Sequence, residues 1–179
     1  MTTFSLDPAH SLVEFTVRHM VFSRVRGAFT SFTVDLDVDD ATNLPTSVAA
    51  KIDAASIDTK VADRDNHLRS PDFLDVATYP SIEFRSTGVS GTAQRITIDG
   101  TLTIHGVTKP VVLNAELDGR GKDPWGNDRI SYAAKTTINR KDFGLGWNQA
   151  LESGGMLVGE ELEIAMTIQA VKAQQPAAV

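Results

Sequence analysis

Along most of the chain, apolar and polar positions alternate one by one. Between Leu12 and Arg18, Val13, Phe15 and Val17 share one side while Glu14, Thr16 and Arg18 share the other. Phe32, Val34, Leu36 and Val38 alternate with Thr33, Asp35 and Asp37; Leu162, Ile164, Met166 and Ile168 alternate with Glu161, Glu163, Thr167 and Gln169. The same period runs through 48–54, 82–88, 95–104, 111–117 and 129–138. Successive side chains of a strand point to opposite faces, so each run predicts a half-buried strand rather than an amphipathic helix. Turn chemistry falls where the alternation stops, at Asn43-Leu44-Pro45, Ser90-Gly91, His105-Gly106, Asp118-Gly119 and Pro124-Trp125-Gly126-Asn127. About eight main strands in consecutive hairpin order predict an all-β antiparallel meander or barrel. Gly100, inside a strand run, suits the bend that barrel closure demands.

Two segments break the period. Asp58–Asp75 carries charges at helical spacing, such as Asp65 with Arg69, and Ser70-Pro71-Asp72 reads as a cap before a second short turn. One or two short helices are expected there, covering one end of the sheet. Residues 140–159 form a long irregular stretch holding Phe143, Leu145, Trp147, Leu151, Met156 and Leu157. So many large apolar groups predict a folded flap over a barrel mouth rather than a disordered loop. One domain over 1–172 accounts for all of this, with 173–179 as a frayed tail.

The inward faces interleave large groups (Phe15, Phe32, Phe84, Leu102, Leu113, Tyr132, Met166) with small ones (Ala50, Ala54, Gly88, Gly100, Ala115, Ala134). An eight-stranded barrel is just wide enough either to fill with side chains or to hold one small ligand. Small liners would leave an elongated cavity, and a tapered, filled core also alternates large and small. The pattern leaves both readings open. No inward strand position carries a charge, so a lumen ligand would be apolar along most of its length.

Composition narrows the chemistry. The 179 residues are 41% hydrophobic, with 23 acidic and 17 basic side chains and a net charge of −6, which argues against nucleic acid as a partner. Without cysteine there is no disulfide scaffold, iron–sulfur centre or thiol nucleophile. The N-terminus has no basic region followed by an apolar stretch, and no run approaches the ~20 residues of a spanning helix. A cytoplasmic protein without a transmembrane segment is expected. Asp142-Phe143-Gly144 copies a kinase metal-binding triplet, but the phosphate loop and catalytic loop of that machinery are missing. His10, His19, His67 and His105 lack ligand-pair spacing, so no metal site is expected. The 63–69 run, rich in charge, reads as a solvated helix face before it reads as a head-group cradle. No nucleophile–base pair can be nominated, so neither catalytic residues nor a cofactor are expected.

Four blocks carry a resemblance. They are Asp7-Pro8-Ala9-His10-Ser11-Leu12-Val13-Glu14-Phe15-Thr16-Val17-Arg18-His19-Met20 with Gly27-Ala28-Phe29; Asp65-Asn66-His67-Leu68-Arg69-Ser70-Pro71-Asp72-Phe73-Leu74-Asp75 with Tyr79-Pro80-Ser81-Ile82-Glu83-Phe84; Gly100–Val111; and Asn139–Leu145. In this order, and spanning nearly the whole chain, they resemble the YceI-like, polyisoprenoid-binding proteins. The resemblance implies an extended eight-stranded lipocalin-like barrel whose lumen holds a long isoprenoid chain, and it brings no catalytic motif. Many members are periplasmic, and this chain departs from them in having no recognisable signal peptide.

Pattern and resemblance together predict where a ligand would lie. Lumen-lining residues are Val13, Phe15, Val17, Phe32, Val34, Ile82, Phe84, Ile98, Leu102, Leu113, Tyr132, Ile164 and Met166. Phe143, Leu145 and Trp147 belong to the flap, and His10, His19, Arg64 and His67 to a polar rim that selects a head group. The expected function is a non-catalytic carrier or store for a polyprenyl alcohol, polyprenyl phosphate or isoprenoid quinone. The alternatives are a filled barrel acting as an interaction or homodimerisation module, and an enzyme acting on a hydrophobic substrate.

Overall fold

A computed structural model describes residues 1–174. It contains β1 (Thr2–Leu6), β2 (Leu12–His19), β3 (Ser23–Phe29), β4 (Phe32–Val38), β5 (Pro45–Asp53), β6 (Ile57–Asp58), α1 (Ala62–Arg69), β7 (Ser81–Thr92), β8 (Arg95–Ile104), β9 (Val107–Lys122), β10 (Asp128–Asn139) and β11 (Val158–Lys172). Every strand pairing is antiparallel, and β11 pairs with both β1 and β2, which closes the sheet on itself.

The count of eight barrel strands follows from how the chain is broken. β1 and β2 form one long strand interrupted at Asp7–Ser11, and β3 and β4 form another interrupted at Thr30-Ser31. The two make one long hairpin, from Thr2 opposite Val38 to His19 opposite Ser23. With β5, β7, β8, β9, β10 and β11 they complete a closed eight-stranded meander. The interruption at Asp7 is built by its carboxylate, which accepts from the Ala9 amide at 3.0 Å, while Pro8 opens the short turn.

The alternation marks most strand positions, but it does not predict β1, β3 or the two-residue β6. β1 is too short to show a period. In β3, Gly27 stands where an apolar inward residue would be, because the Phe15 ring occupies the space that a Cβ would need. Gly100 sits where the β7–β8 register shifts between Ser86 and Gly88, consistent with the expected bend.

The segment 54–80 fills the gap beside β3, which pairs on its far side with β6 rather than β5. It holds one helix followed by a chain of turns, with the Phe73 amide bonded to the Ser70 carbonyl. Asp65 and Arg69 do not pair. Asp65 is buried and accepts from the Thr59 amide and hydroxyl, whereas Arg69 donates to the Ala55 and Ile57 carbonyls. These bonds fasten the helix to the wall. Of the tail expected to fray, Ala173 still bonds to the Thr3 carbonyl, and 175–179 lie outside the described residues.

Candidate functional site

The barrel encloses a cavity of about 220 Å³. All thirteen expected lining positions surround it: Val13, Phe15 and Val17 from β2, Phe32 and Val34 from β4, Ile82 and Phe84 from β7, Ile98 and Leu102 from β8, Leu113 from β9, Tyr132 from β10, and Ile164 and Met166 from β11. Ile57, Leu68, Phe73 and Leu74 of the 54–80 segment complete one side, a contribution that strand periodicity does not reveal.

Space opens where small side chains meet. Ala134 lies opposite Ala115 on one neighbouring strand and Met166 on the other. The glycines behave differently. A Cβ on Gly27 would collide with the Phe15 ring, and one on Gly100 with the Phe84 ring and the Arg85 carbonyl. These two positions seat aromatic rings in the wall instead of widening the lumen. Gly88 is exposed, and Ala54 is buried in a turn, away from the cavity.

One end is sealed. Phe4, Val38, Ile96 and Ile130 are fully buried there. The Tyr132 hydroxyl, at the end of the lumen, donates to the Asn43 carbonyl at 2.8 Å, and burial raises its pKa. Arg120 stands 5.4 Å over the Phe4 ring and binds Asp128 at 2.8 Å, Asp40 at 2.9 Å and Asn43 at 3.0 Å. The Thr2 hydroxyl and then Arg120 lower the Asp40 carboxyl from 3.8 to about 2.

The other end is the mouth, and Arg140 organises it. This residue is only 2% exposed, yet among the described residues no carboxylate binds it. Its guanidinium donates to the carbonyls of Gly159 (2.7 Å), Leu145 (2.5 Å), Trp147 (2.9 Å) and Val158 (3.4 Å). Burial lowers its pKa. A planar fork of donors suits this task, because it reaches several acceptors at once from one rigid group. Arg140 therefore ties both roots of the 140–157 flap together and touches the cavity. Sequence periodicity missed it, since a lone arginine at the start of a loop carries no pattern. Its place in the Asn139–Leu145 block was the one available signal.

The three expected flap residues divide. Leu145 lines the lumen, Phe143 is buried in the core beside it, and Trp147 packs outside the lining. The Trp147 ring lies 4.6 Å from His67 and 5.3 Å from Phe73, which clamps the flap to α1 and the turn after it.

The four polar candidates are not gathered into one rim. His67 is at the mouth, bonded to Asp72 at 2.8 Å and set edge to face against Trp147. His19 ends β2 on the same side. Arg64 is engaged by the Thr59 hydroxyl and carbonyl, both at 2.8 Å. His10 lies on the outer wall with Asp7 at 2.9 Å, in a cluster where Arg129 joins Asp7 and Asp123. Pattern alone does not separate such a wall cluster from a mouth. Among the described residues, no group of three or more His, Asp or Glu side chains is arranged to hold a metal ion. Nor, among these residues, is any helix long and apolar enough to cross a membrane.

Comparison with known proteins agrees with this geometry. A model of the YceI-like domain matches residues 4–170. A UPF0312 protein of Vibrio cholerae is 41% identical over 139 residues, covering 76% of this chain and 73% of that protein. The crystal structure of a Campylobacter jejuni YCEI protein superposes with a TM-score of 0.77 at 27% identity, covering 88% of this chain and 90% of the other. A polyisoprenoid binding domain from Saccharophagus degradans shares the fold, with a TM-score of 0.70 at 17% identity over 97% of this chain and 100% of that one.

Proposed function

The chain belongs to the YceI-like domain family, and we propose that its barrel holds a long apolar polyisoprenoid lipid for transport, storage or sequestration. The observation that carries this is the lumen itself, apolar from the sealed end at Tyr132 to the flap at Leu145. The ligand class is supported by the shared fold of the Saccharophagus degradans domain, which is described as polyisoprenoid binding.

The energetics favour such a guest. At ~0.8 kcal/mol per carbon-sized group, each five-carbon prenyl unit leaving water gains about 4 kcal/mol, part of which is lost in ordering a flexible chain. The 220 Å³ cavity exceeds the roughly 150 Å³ that admits a benzene-sized guest. It falls below the ~300–1,000 Å³ of sites for larger ligands. A long chain therefore enters only as the flap and the movable Met166 give way, with its head end directed to the mouth. Retention rather than reaction fits the polar groups at the lumen. The Tyr132 hydroxyl and the Arg140 guanidinium are both engaged by backbone carbonyls.

The test is a titration with prenyl alcohols of increasing length, read by the fluorescence of Trp147 in a Trp125→Phe background. Trp125 is 82% exposed, so its replacement leaves the mouth untouched. A saturable response with one site per chain, weakened by Ala134→Phe, is expected. No saturable response at any length would overturn the proposal.

A further inference from the structure

The β2–β3 hairpin ends in an apolar tip at the barrel mouth. Phe22 is 82% exposed, Val21 53% and Met20 41%. Met156, at the end of the flap, is 48% exposed beside them. The two tips are joined: the Met20 amide donates to the Leu157 carbonyl at 2.8 Å, and the Val21 side chain presses on Gly155. Met20 and Val21 hold φ of +52° and +70°, a left-handed backbone that a β-branched residue rarely adopts. Among the described residues, three of the nine exposed large hydrophobic side chains thus lie on one turn, two of them in a backbone that is not the default for them.

The flanks of that turn are cationic. Arg18 lies directly opposite Arg24, with Arg26 one step further on the same outer face. Like charges facing across a strand pair repel, and the only return to the hairpin among the described residues is a long bond of 3.4 Å from Arg18 to the Val21 carbonyl, so the pairing of Arg18 with Arg24 is not itself stabilising. Among the described residues, the only carboxylate within ion-pair reach of these guanidiniums is Glu163, 3.9 Å from Arg24. Charged side chains do protect a strand edge, which would account for Arg24 and Arg26 alone, but not for the apolar residues exposed beside them. The chain as a whole carries −6, so attraction to an anionic surface has to be local.

We propose that this tip docks the barrel mouth on a bilayer bearing anionic headgroups: Met20, Val21, Phe22 and Met156 enter the headgroup–acyl boundary, and Arg18, Arg24 and Arg26 pair with phosphates. Apolar groups ringed by arginine are what an interfacial site requires. The position beside the flap means that docking sets the opening of the lumen against the membrane.

Sedimentation with vesicles tests this, using phosphatidylcholine alone or mixed equally with phosphatidylglycerol. The protein is expected to bind the mixed vesicles, with Phe22→Ser weakening partitioning about ten- to hundredfold. A double Arg18→Ser, Arg24→Ser variant weakens binding to mixed vesicles about tenfold or more and removes most of its salt dependence. Matching thermal melts show that the variants fold. The proposal fails if the unaltered protein does not bind mixed vesicles, or if Phe22→Ser binds them equally well. It also fails if, without vesicles, Phe22→Ser abolishes a dimer seen by ultracentrifugation, which would assign the patch to a second copy of the chain. The assay needs no lumen ligand, so its failure leaves the lipid-holding proposal standing.

Discussion

Replacing Arg140 with Met should release the flap while the barrel stays folded. The substitution keeps an apolar stem of similar reach and removes every donor. Three carbonyls, those of Gly159, Leu145 and Trp147, lie at 2.9 Å or closer to the guanidinium. Leaving a buried acceptor unpaired costs about 1–3 kcal/mol, so the three together represent about 3–9 kcal/mol. Burial also disfavours the guanidinium's charge, and relief of that cost moves the net loss toward the lower end. A loss of ~3 kcal/mol corresponds to more than a hundredfold faster hydrogen exchange wherever local opening limits it. Hydrogen exchange read by mass spectrometry should show this acceleration across 141–158, with amides of β8 and β9 unchanged. Arg140→Lys should recover only part of the protection, because an ammonium cannot fork to separated carbonyls. Unchanged exchange in the flap of a folded Arg140→Met protein would refute the anchoring role.

Other perturbations read other parts of the structure. Gly27→Ala forces a Cβ into the Phe15 ring and should cost about 1–3 kcal/mol, lowering Tm by about 2–4 °C per kcal/mol. Adding Phe15→Leu should relieve part of that cost, and strictly additive effects would argue against the contact. Ala134→Leu fills the meeting point of Ala115 and Met166, so lipid content should fall while Tm holds or rises; unaltered lipid content would move the guest elsewhere. Acid should destabilise the sealed end and the Asp7–Arg129 cluster on the wall first. Asp7, Asp40, Asp123 and Asp128 are all held below the ordinary carboxylate range, by Arg129, Thr2, Asn127 and Arg120 respectively as the leading partners. Lowered folded-state values stabilise the protein above the unfolded value and lose that contribution as pH falls through the folded one. For Asp40 the window runs from 3.8 down to about 2. Arg129→Met should reduce stability at pH 7 and flatten its loss on acidification, seen in denaturant midpoints; an unchanged slope would contradict the coupling.

The inward face of the wall was largely legible in the sequence because a strand reports its buried face at every second residue; whether that face encloses space or fills it was not, since both arrangements alternate large and small side chains. What escaped was set by contacts between segments far apart in the chain. β3 hides its alternation because the Phe15 ring replaces the side chain of Gly27. Arg69 sits one helical turn from Asp65, yet it answers to the carbonyls of Ala55 and Ile57. His10 and His67 look alike as lone histidines; one belongs to the Asp7–Arg129 cluster on the wall, the other to the edge-to-face contact with Trp147 at the mouth. Arg140 is legible only as part of a family block, since its acceptors are main-chain atoms and any sequence supplies those.

Organic extraction of freshly purified protein, followed by mass spectrometry, tests the central proposal most directly. A polyisoprenoid compound recovered in close to equimolar amount from the unaltered protein, and depleted from Ala134→Phe, is the predicted result. A protein that yields no such lipid, and takes none up when prenyl alcohols are offered, would contradict it.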